Sequence, residues 1–249
     1  MDQPVMLITG ASRGIGAVTA QLAARRGYAV AVNYVHNAEA AQSVVEAVAR
    51  EGGQAMAIQA DVAQEDDILR MFNQVGERWG RLDTLVNNAG VLEQMMPVVR
   101  MSRARISRVM DTNVVGLMLC CREAVKRMAK SQGGAGGTIV NVSSVAARLG
   151  SPFEYVDYAA SKAAVDAITL GLAKELATDG VRVNAVRPGL IFTEIHASGG
   201  DAHRVERLQA NVPMQRGGLC EEVAEAIVWL ASDAASYTTG SLLDVAGGR

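Results

Sequence analysis

The sequence predicts a single α/β domain, built as a doubly wound, seven-stranded parallel sheet with helices on both faces. Short apolar runs of the kind found in buried strands alternate along the chain with longer segments of helical periodicity. A glycine-rich turn joins the first apolar run to the first helical segment, as is common in doubly wound sheets. The 249 residues are 49% hydrophobic and therefore suffice for one domain with a large buried core.

Four strands and three helices are expected in the first half of the chain. The expected strands are short and apolar: residues 5–8, 28–34, 54–59 and 82–86. The expected helices have apolar residues at helical spacing: residues 14 to about 26, 38–51 and 65–79. A glycine directly follows each of these helices, and glycine commonly ends a helix because it adopts the left-handed conformation without strain.

The second half continues the alternation. Its expected strands are residues 138–142, 181–186 and 241–245. Its expected helices are a long apolar one from 111 to about 130, one that carries residues 158 and 162 and runs to about 178, and one at 221–232. The segment at about 190–212 contains two adjacent glycines and mixed polarity, which suggests a mobile lid. Four arginines between 100 and 108 would spread around a helix, so a solvated surface is expected for them.

Composition and charge exclude several classes of function. The formal net charge of −2 argues against general affinity for nucleic acid or an anionic membrane. No basic segment precedes an apolar one at the N-terminus, and no apolar run reaches the ~18 residues of a bilayer span, so neither a signal peptide nor a membrane span is expected. Three cysteines, two of them adjacent, predict no disulfide framework and favour the reducing cytoplasm. The three histidines lack metal-ligand spacing, so no metal site is expected.

Residues 9–16 read Thr-Gly-Ala-Ser-Arg-Gly-Ile-Gly and follow the first strand. Glycines in such a turn let the backbone approach a pyrophosphate closely, and the N-terminus of the next helix offers free N–H groups to the anion. The spacing is a variant of the dinucleotide fingerprint, so it predicts a phosphate-binding turn. The turn residues expected to contact a cofactor are Gly10, Ser12, Arg13, Gly14, Ile15 and Gly16.

The end of the second strand indicates which dinucleotide binds. An Asp or Glu commonly binds the ribose 2′-hydroxyl of NAD there, but residues 33–37 read Asn-Tyr-Val-His-Asn and contain no carboxylate. Arg13 lies in the neighbouring glycine turn, and a cation without a carboxylate suits a 2′-phosphate. NADP(H) is therefore the favoured cofactor, with a contact from Asn33, and NAD(H) is the alternative. The simpler interpretation is that Asn37 caps the next helix and Arg13 is solvated.

Polar or small residues follow three further strands, and ligands of open α/β sheets gather at the carboxyl ends of strands. A carboxylate after the third strand would bind the adenine edge or cap a helix. The Asn-Asn-Ala-Gly run after the fourth strand would bring backbone against a ligand or form a plain turn. Asn113, at the polar start of the long helix, is either functional or a helix cap. The candidates at the strand ends are Asp61, Val62, Asn87, Ala89, Gly90 and Ser144.

Tyr158 and Lys162 are four residues apart, which places both side chains on one face of a helix. A free tyrosine has a pKa of about 10, and a nearby lysine cation lowers that pKa. Lowering it to about 7 needs roughly 4 kcal/mol, more than one exposed lysine supplies. A cationic cofactor ring or a desolvated pocket would have to contribute. Alone, the pair favours the simpler interpretation, a tyrosine and a lysine on an ordinary amphipathic helix, because the pattern is short and common.

Together and in this order, the motifs resemble the short-chain dehydrogenase/reductase family along almost the whole chain. The matching residues are Thr9-Gly10-x-x-x-Gly14-x-Gly16, Asp61, Asn87-Asn88-Ala89-Gly90, Asn113, Ser144, Tyr158-x-x-x-Lys162 and Pro188-Gly189. The resemblance implies a Rossmann fold with the strand order 3-2-1-4-5-6-7. It also implies that four residues form a catalytic tetrad: Asn113, Ser144, Tyr158 and Lys162.

The resemblance implies a role for each tetrad residue. Tyr158 would act as general acid or base on a carbonyl or secondary alcohol, and Ser144 would hydrogen-bond the substrate oxygen. Lys162 would lower the pKa of Tyr158 and hold the nicotinamide ribose, while Asn113 would hold a water that links Lys162 to solvent. Further cofactor contacts are implied in the segment after the sixth strand: Pro188, Gly189, Ile191 and Thr193.

The resemblance leaves the substrate open between sugars, as in glucose-1-dehydrogenase-like members, and 3-oxoacyl thioesters, as in 3-oxoacyl-carrier-protein reductases. A basic patch for a carrier protein would draw on Arg100, Arg103 or Arg105. The implied partners are a small carbonyl or alcohol substrate and further copies of the chain, in a homotetramer or at least a dimer. A non-catalytic nucleotide-sensing protein on the same fold is the remote alternative, because such proteins usually lose the tyrosine or the lysine that are both present here.

Overall fold

The computed structural model describes residues 3–249 and contains a seven-stranded parallel sheet in the order β3-β2-β1-β4-β5-β6-β7. The arrangement confirms the predicted fold class and the strand order that the resemblance implied. The strands are β1 (Val5–Ile8), β2 (Ala29–Tyr34), β3 (Ala55–Gln59), β4 (Thr84–Asn87), β5 (Gly137–Val142), β6 (Val181–Pro188) and β7 (Leu242–Val245). Because β1 pairs with β2 on one side and with β4 on the other, the order reverses there and a crevice opens at the carboxyl edge.

Helices cover both faces of the sheet. They are α1 (Gly14–Arg25), α2 (Ala38–Arg50), α3 (Glu65–Trp79), α4 (Arg103–Met110), α5 (Leu117–Met128), α6 (Ala146–Leu149), α7 (Val156–Glu175), α8 (Ile195–Ser198), α9 (Arg204–Leu208) and α10 (Cys220–Ala231). In the part of the chain from residue 3 onward, no helix combines the length and the hydropathy that a bilayer span requires.

The core consists of two layers, one on each face of the sheet. Successive strand residues point to opposite faces, so Leu7 of β1 packs in one layer with helices α3, α5 and α7. Its neighbours Met6 and Ile8 pack in the other layer with α1, α2 and α10. The central strands are therefore apolar at nearly every position, as expected for a parallel sheet buried on both faces.

The long helix expected to begin at residue 111 begins earlier, at Arg103. Ser102 caps it, because the Ser102 hydroxyl accepts the backbone N–H of Arg105 at 3.2 Å. A π-helical turn, Asp111–Gly116, then joins α4 to α5. Gly116 is required in this turn, since a Cβ there would lie 2.2 Å from the carbonyl oxygen of Val62. The polar run at 111–113 is thus a turn inside a longer helical segment and not its N-terminus.

The expectation of a solvated surface for the arginines at 100–108 is wrong for one of them. Arg105 is 3% exposed, and its guanidinium forms an ion pair with Asp157 at the start of α7. Helical spacing alone could not show this burial, because the partner lies 52 residues away in sequence. The other differences from the expected elements are shifts of a few residues at the ends of helices and strands, and three additional short helices, α6, α8 and α9.

Candidate active site

A cavity of about 1600 Å³ runs along the carboxyl edge of the sheet. One end is lined by the glycine turn after β1, the end of β2 and the turn after β3. The middle is lined by the turn after β4, by Ser144, Tyr158 and Lys162, and by the segment that follows β6. The far end is lined in part by residues of the segment 190–212, among them His196 and Arg204. The strand ends that carry the predicted site residues therefore meet at one cavity, as expected for an open α/β sheet.

Hydrogen bonds join the turn after β1 to the turn after β4. Oγ1 of Thr9 accepts the backbone N–H groups of Asn88 and Ala89, both at 3.0 Å. The Asn88 amide donates to the carbonyl oxygens of Thr9 at 2.9 Å and of Gly10 at 2.8 Å. A Cβ at Gly10 would lie 2.9 Å from Cα of Ala89, and one at Gly16 would lie 2.5 Å from Nδ2 of Asn88. The packing of the two turns therefore requires glycine at both positions.

Gly14 is the turn glycine at which a Cβ would meet only ordinary van der Waals contacts. Its φ is +55°, and the nearest atom to a Cβ built there would be Cγ2 of Thr193 at 3.7 Å. Arg13 precedes it as the N-cap residue of α1, and the Arg13 side chain makes no capping hydrogen bond. N–H groups in the first turn of a helix bind anions, which the helix dipole also favours. The turn and Thr193 thus fit the pyrophosphate of a dinucleotide.

Three residues expected to touch the cofactor lie beneath the cavity instead of lining it. Asn33 is fully buried, and its side chain accepts the N–H of Gly10 at 3.0 Å and donates to the carbonyl oxygen of Ala60 at 2.9 Å. Asn87 donates to Asn141 at 3.0 Å in the sheet interior. Gly16 is buried in the joint described above. Asn33 therefore supports the glycine turn from below.

The end of β2 lines the cavity through residues 34–37, none of which is acidic. Arg13 lines the same end, is exposed, and forms no ion pair with any residue from 3 to 249. Asn37 does cap α2, because its side chain accepts the N–H of Ala40 at 2.9 Å. The Asp61 carboxylate accepts the N–H of Ala63 at 2.9 Å, and α3 starts only at Glu65. Asp61 thus orders a turn at the cavity wall and does not cap a helix directly.

Tyr158 and Ser144 approach each other in the middle of the cavity. Burial raises the pKa of Tyr158 to about 12, and a hydrogen bond with Ser144 offsets part of this rise. The expectation that a desolvated pocket helps to lower this pKa is therefore wrong, because burial disfavours the charged phenolate. At neutral pH the Tyr158 hydroxyl is protonated, which is the form that donates a proton.

Lys162 lies one helical turn after Tyr158, with Nζ 5.6 Å from the centre of the phenol ring. Its Nζ donates to the carbonyl oxygen of Val142 at 2.7 Å. Burial lowers the pKa of Lys162 to about 8, and the negative charge of Asp166 opposes this decrease. Asp166 is in turn bound by Arg187 of β6 at 2.7 Å. The lysine expected to lower the pKa of the tyrosine is thus itself close to losing its charge.

Asn113 lies in the π-helical turn and is 1% exposed. Its side chain accepts the N–H of Val91 at 2.8 Å and donates to the carbonyl oxygen of Val91 at 3.1 Å and to the hydroxyl of Ser161 at 3.0 Å. A Cβ at Gly90 would lie 3.4 Å from Nζ of Lys162 and 3.5 Å from Oδ1 of Asn113, so both side chains pack around Gly90. Asn113 therefore joins the cavity wall to α7, and its water-holding role stays a prediction.

The far end of the cavity contains side chains that the sequence did not single out. They come from separate segments, so no local pattern marks them: Leu92, Leu149, Ser151, Glu154, Tyr155, His196, Arg204 and Arg249. The segment predicted as a lid is anchored here. The Tyr155 hydroxyl donates to the carbonyl oxygen of Gly199 at 3.0 Å, and Arg204 forms an ion pair with Glu154.

Comparison with known proteins places this geometry among oxidoreductases. A family model described as enoyl-(acyl carrier protein) reductase matches residues 10–249. The chain is 58% identical to the uncharacterized oxidoreductase YgfF of Escherichia coli, over 98% of this chain and 99% of the relative. It is 40% identical to the 3-oxoacyl-[acyl-carrier-protein] reductase FabG of Staphylococcus aureus, over 97% and 96%. A dehydrogenase/reductase structure from Sinorhizobium meliloti superimposes with a TM-score of 0.91 at 32% identity, covering 100% of this chain and 95% of that one.

We predict that Lys162→Met stabilises the protein at pH 7 and that this gain shrinks by pH 10. Below pH 8 the ammonium is charged in both folded and unfolded protein, and the folded state bears the cost of burying it. Between about pH 8 and 10 the unfolded protein binds more protons at Lys162, so the stability of the unsubstituted protein rises with pH relative to the variant. The free energy of unfolding of Lys162→Met, relative to that of the unsubstituted protein, should fall by roughly 2–4 kcal/mol between pH 7 and pH 10. Urea unfolding at the two pH values measures it.

The matched control is Lys174→Met, which makes the same change at an exposed position of the same helix. Its effect on unfolding should be small and independent of pH. A Lys162→Met gain that is equal at pH 7 and pH 10 would show that the buried ammonium is not the cause.

Proposed function

The chain belongs to the short-chain dehydrogenase/reductase family, and from that premise we propose that it transfers hydride between NADP(H) and a carbonyl or secondary alcohol. The observation that carries the proposal is that Tyr158 lines the middle of the cavity together with Ser144, with Lys162 one helical turn away. A tyrosine with a raised pKa is protonated at neutral pH and can donate a proton, and the glycine turn and Thr193 fit a dinucleotide beside it.

The chain's own residues handle the proton and the substrate oxygen. A bound nicotinamide supplies or accepts the hydride. In the reductive direction, Tyr158 donates its proton to the carbonyl oxygen, and Ser144 donates a hydrogen bond to the same oxygen as negative charge develops on it. The raised pKa of Tyr158 keeps the proton in place until that charge develops.

Lys162 and Asn113 act on the cofactor side of Tyr158. We propose that Lys162 holds the nicotinamide ribose hydroxyls, with the carbonyl oxygen of Val142 fixing the direction of its Nζ. Asn113 packs against Gly90 beside Lys162, where a bound water would return a proton toward the tyrosine from solvent. Loss of the lysine would therefore affect both turnover and cofactor affinity.

Two substrate classes fit the proposal, an acyl thioester and a sugar or other polar ketone, and separate observations bear on them. The 40% identity to a 3-oxoacyl-[acyl-carrier-protein] reductase favours an acyl thioester. The basic patch expected for a carrier protein, however, loses Arg105, which is buried in an ion pair. Glu154, His196 and Arg204 give the far end a polar character that suits a sugar or another polar ketone. A panel of ketones, sugars and acyl thioesters, followed by NADPH absorbance, tests these classes directly.

The retained Tyr158 and Lys162 argue against a non-catalytic nucleotide sensor on this fold. A sensor would bind NADP(H) without consuming it in the presence of any carbonyl in the panel. We also propose the cytoplasm as the compartment, supported by three cysteines that form no disulfide, two of which are buried.

Tyr158→Phe should lower kcat by about 10²–10⁴-fold, because it removes only the hydroxyl that donates the proton. NADPH affinity and thermal stability should stay close to those of the unsubstituted protein. Steady-state kinetics on any accepted ketone, with NADPH affinity from fluorescence titration, provide the measurement.

Tyr237→Phe is the matched control, since it deletes the same hydroxyl from a fully exposed side chain. Tyr155→Phe is less suitable, because the Tyr155 hydroxyl anchors residue 199 of the lid segment. Near-full turnover by Tyr158→Phe would disprove the assigned proton donor.

Arg13→Ala should narrow the preference for NADPH over NADH by about tenfold or more. A charged contact to a 2′-phosphate contributes roughly 1.5–3 kcal/mol, and NADH lacks this phosphate. The dissociation constants of both cofactors are measured for both proteins. Arg25→Ala, which removes an arginine from the other end of α1, should leave the ratio unchanged. Equal affinity of the unsubstituted protein for the two cofactors would contradict the preference.

We propose a homotetramer, or at least a dimer, built on the outer faces of α5 and α7, with a second contact near residues 241–249. Val115, Met118 and Leu170 are 48%, 51% and 41% exposed on the helical segments concerned, which leaves apolar surface there that a second copy could cover. Met118→Glu should lower the apparent mass in sedimentation, whereas Val99→Glu, at an exposed position outside these helices, should not. Sedimentation of the unsubstituted protein as a 26.2 kDa monomer at micromolar concentration would contradict the proposal.

A further inference from the structure

Arg105 and Asp157 form a buried ion pair directly beside the proposed proton donor. Nε of Arg105 donates to Oδ2 of Asp157 at 2.7 Å, and Nη2 donates to Oδ1 at 3.3 Å. The two side chains are only 4% and 2% exposed. Asp157 immediately precedes Tyr158, and neither charge takes part in the proposed chemistry.

The pair connects three segments of the site. A third donor of Arg105, Nη1, binds the carbonyl oxygen of Gln94 in the wall segment, residues 90–94, most of which line the cavity. Oδ1 of Asp157 accepts the backbone N–H of Tyr158 at 2.9 Å in the first turn of α7. The N-cap residue of this helix, Tyr155, offers no side-chain cap, so Asp157 supplies the acceptor. Arg105 thus ties the wall segment to the backbone that carries the Tyr158 side chain.

A second clamp connects the same two segments one turn further along. Asn113 holds Val91 through both of its backbone polar groups and binds the hydroxyl of Ser161. The two clamps therefore span the wall from 91 to 94 and the helix from 157 to 161. Tyr158 lies between their attachment points on α7, which fixes its backbone against the wall from both sides.

Stability alone gives a weak reason to keep such a pair. Removing two charges from water costs several kcal/mol per ion, and replacing a buried ion pair by uncharged residues of similar volume is often neutral or stabilising. The ion pair orients the two segments more strictly than uncharged packing could, because the guanidinium fork fixes the relative orientation of Asp157 and Gln94.

We propose that Arg105 and Asp157 are positioning residues that set the Tyr158 hydroxyl against the substrate carbonyl, an inference that rests on the proposed oxidoreductase function. The pair acts on the geometry of proton transfer and leaves cofactor binding intact, because its contacts lie away from the glycine turn and the end of β2. A displacement of about 1 Å at a reacting group can cost on the order of a hundredfold in rate.

The test is the double variant Arg105→Met/Asp157→Asn. Methionine fills the space of the arginine stem without leaving a buried charge, and asparagine retains an oxygen that accepts the Tyr158 N–H. The protein should keep its melting temperature within a few degrees and its NADPH dissociation constant within about threefold. Its kcat should fall at least about tenfold, with a larger solvent deuterium isotope effect on kcat, because proton transfer becomes slower.

Arg105→Lys provides a second measurement that preserves the charge. A lysine can bind Asp157 but cannot bridge to Gln94 with a rigid fork, so kcat should be intermediate between those of the unsubstituted protein and the double variant. Arg25→Met/Glu51→Leu removes an exposed, remote pair and should change none of these quantities.

Two outcomes would overturn the positioning role while leaving the proposed function intact. One is a folded double variant whose kcat lies within twofold of the unsubstituted value. The other is a loss of kcat that matches equal losses of NADPH affinity and folded fraction, which indicates a purely structural role. If the unsubstituted protein reduces no carbonyl with NADPH and Tyr158→Phe therefore changes nothing, both the function and the positioning role fail.

Discussion

The site depends on the joint between β1 and β4, where the strand order of the sheet reverses. Parallel pairing brings the ends of these strands side by side, and Thr9 and Asn88 then bond the two following turns to each other. This joint fixes the glycine turn relative to the wall segment that begins at Gly90. Since Asn113 attaches the same wall to α7, the dinucleotide side and the proton-donating side of the cavity are positioned through one short run of backbone.

Burial has opposite effects on the pKa values of the two titratable groups in the centre of the cavity. It raises that of Tyr158 to about 12 and lowers that of Lys162 to about 8. In both cases the fold favours the neutral form, because a charge is poorly solvated there. The phenolate form would need an added positive charge nearby, such as an oxidised nicotinamide. The protein alone therefore holds the tyrosine ready to give a proton, and its bound partners determine when it can take one.

Much of the fold could be predicted from the sequence because its signals are local. Apolar runs marked the seven strands, and glycines such as Gly80, which adopts the left-handed conformation at φ +71°, marked the ends of helices. The predicted residues around Tyr158 and the glycine turn also meet at one cavity. The direction in which burial shifts the pKa of Tyr158 could not be predicted from the sequence. A spacing of four residues identifies the neighbouring lysine but does not show how far the hydroxyl is shielded from water.

What the sequence did not show depends on contacts between distant segments. The burial of Arg105 requires an acidic partner 52 residues away, and the far end of the cavity combines residues from at least three loops. Asn33 was expected to touch a ligand, but the neighbouring turn takes up its hydrogen bonds. In each case the residue type is compatible with either an exposed or a buried position, and the tertiary contacts of the folded chain determine which one it occupies.

The π-helical turn at Asp111–Gly116 also affects how related chains should be aligned and engineered. Such a turn contains one residue more than an α-helical path between the same flanking helices needs. Residues before and after it therefore follow two different helical phases, and a heptad or 3.6-residue template laid across both will misplace one of them. Removing a single residue here would therefore close the turn into a continuous α-helix between α4 and α5. The side chains within the turn, Asn113 among them, would then change position relative to the cavity wall that Asn113 binds.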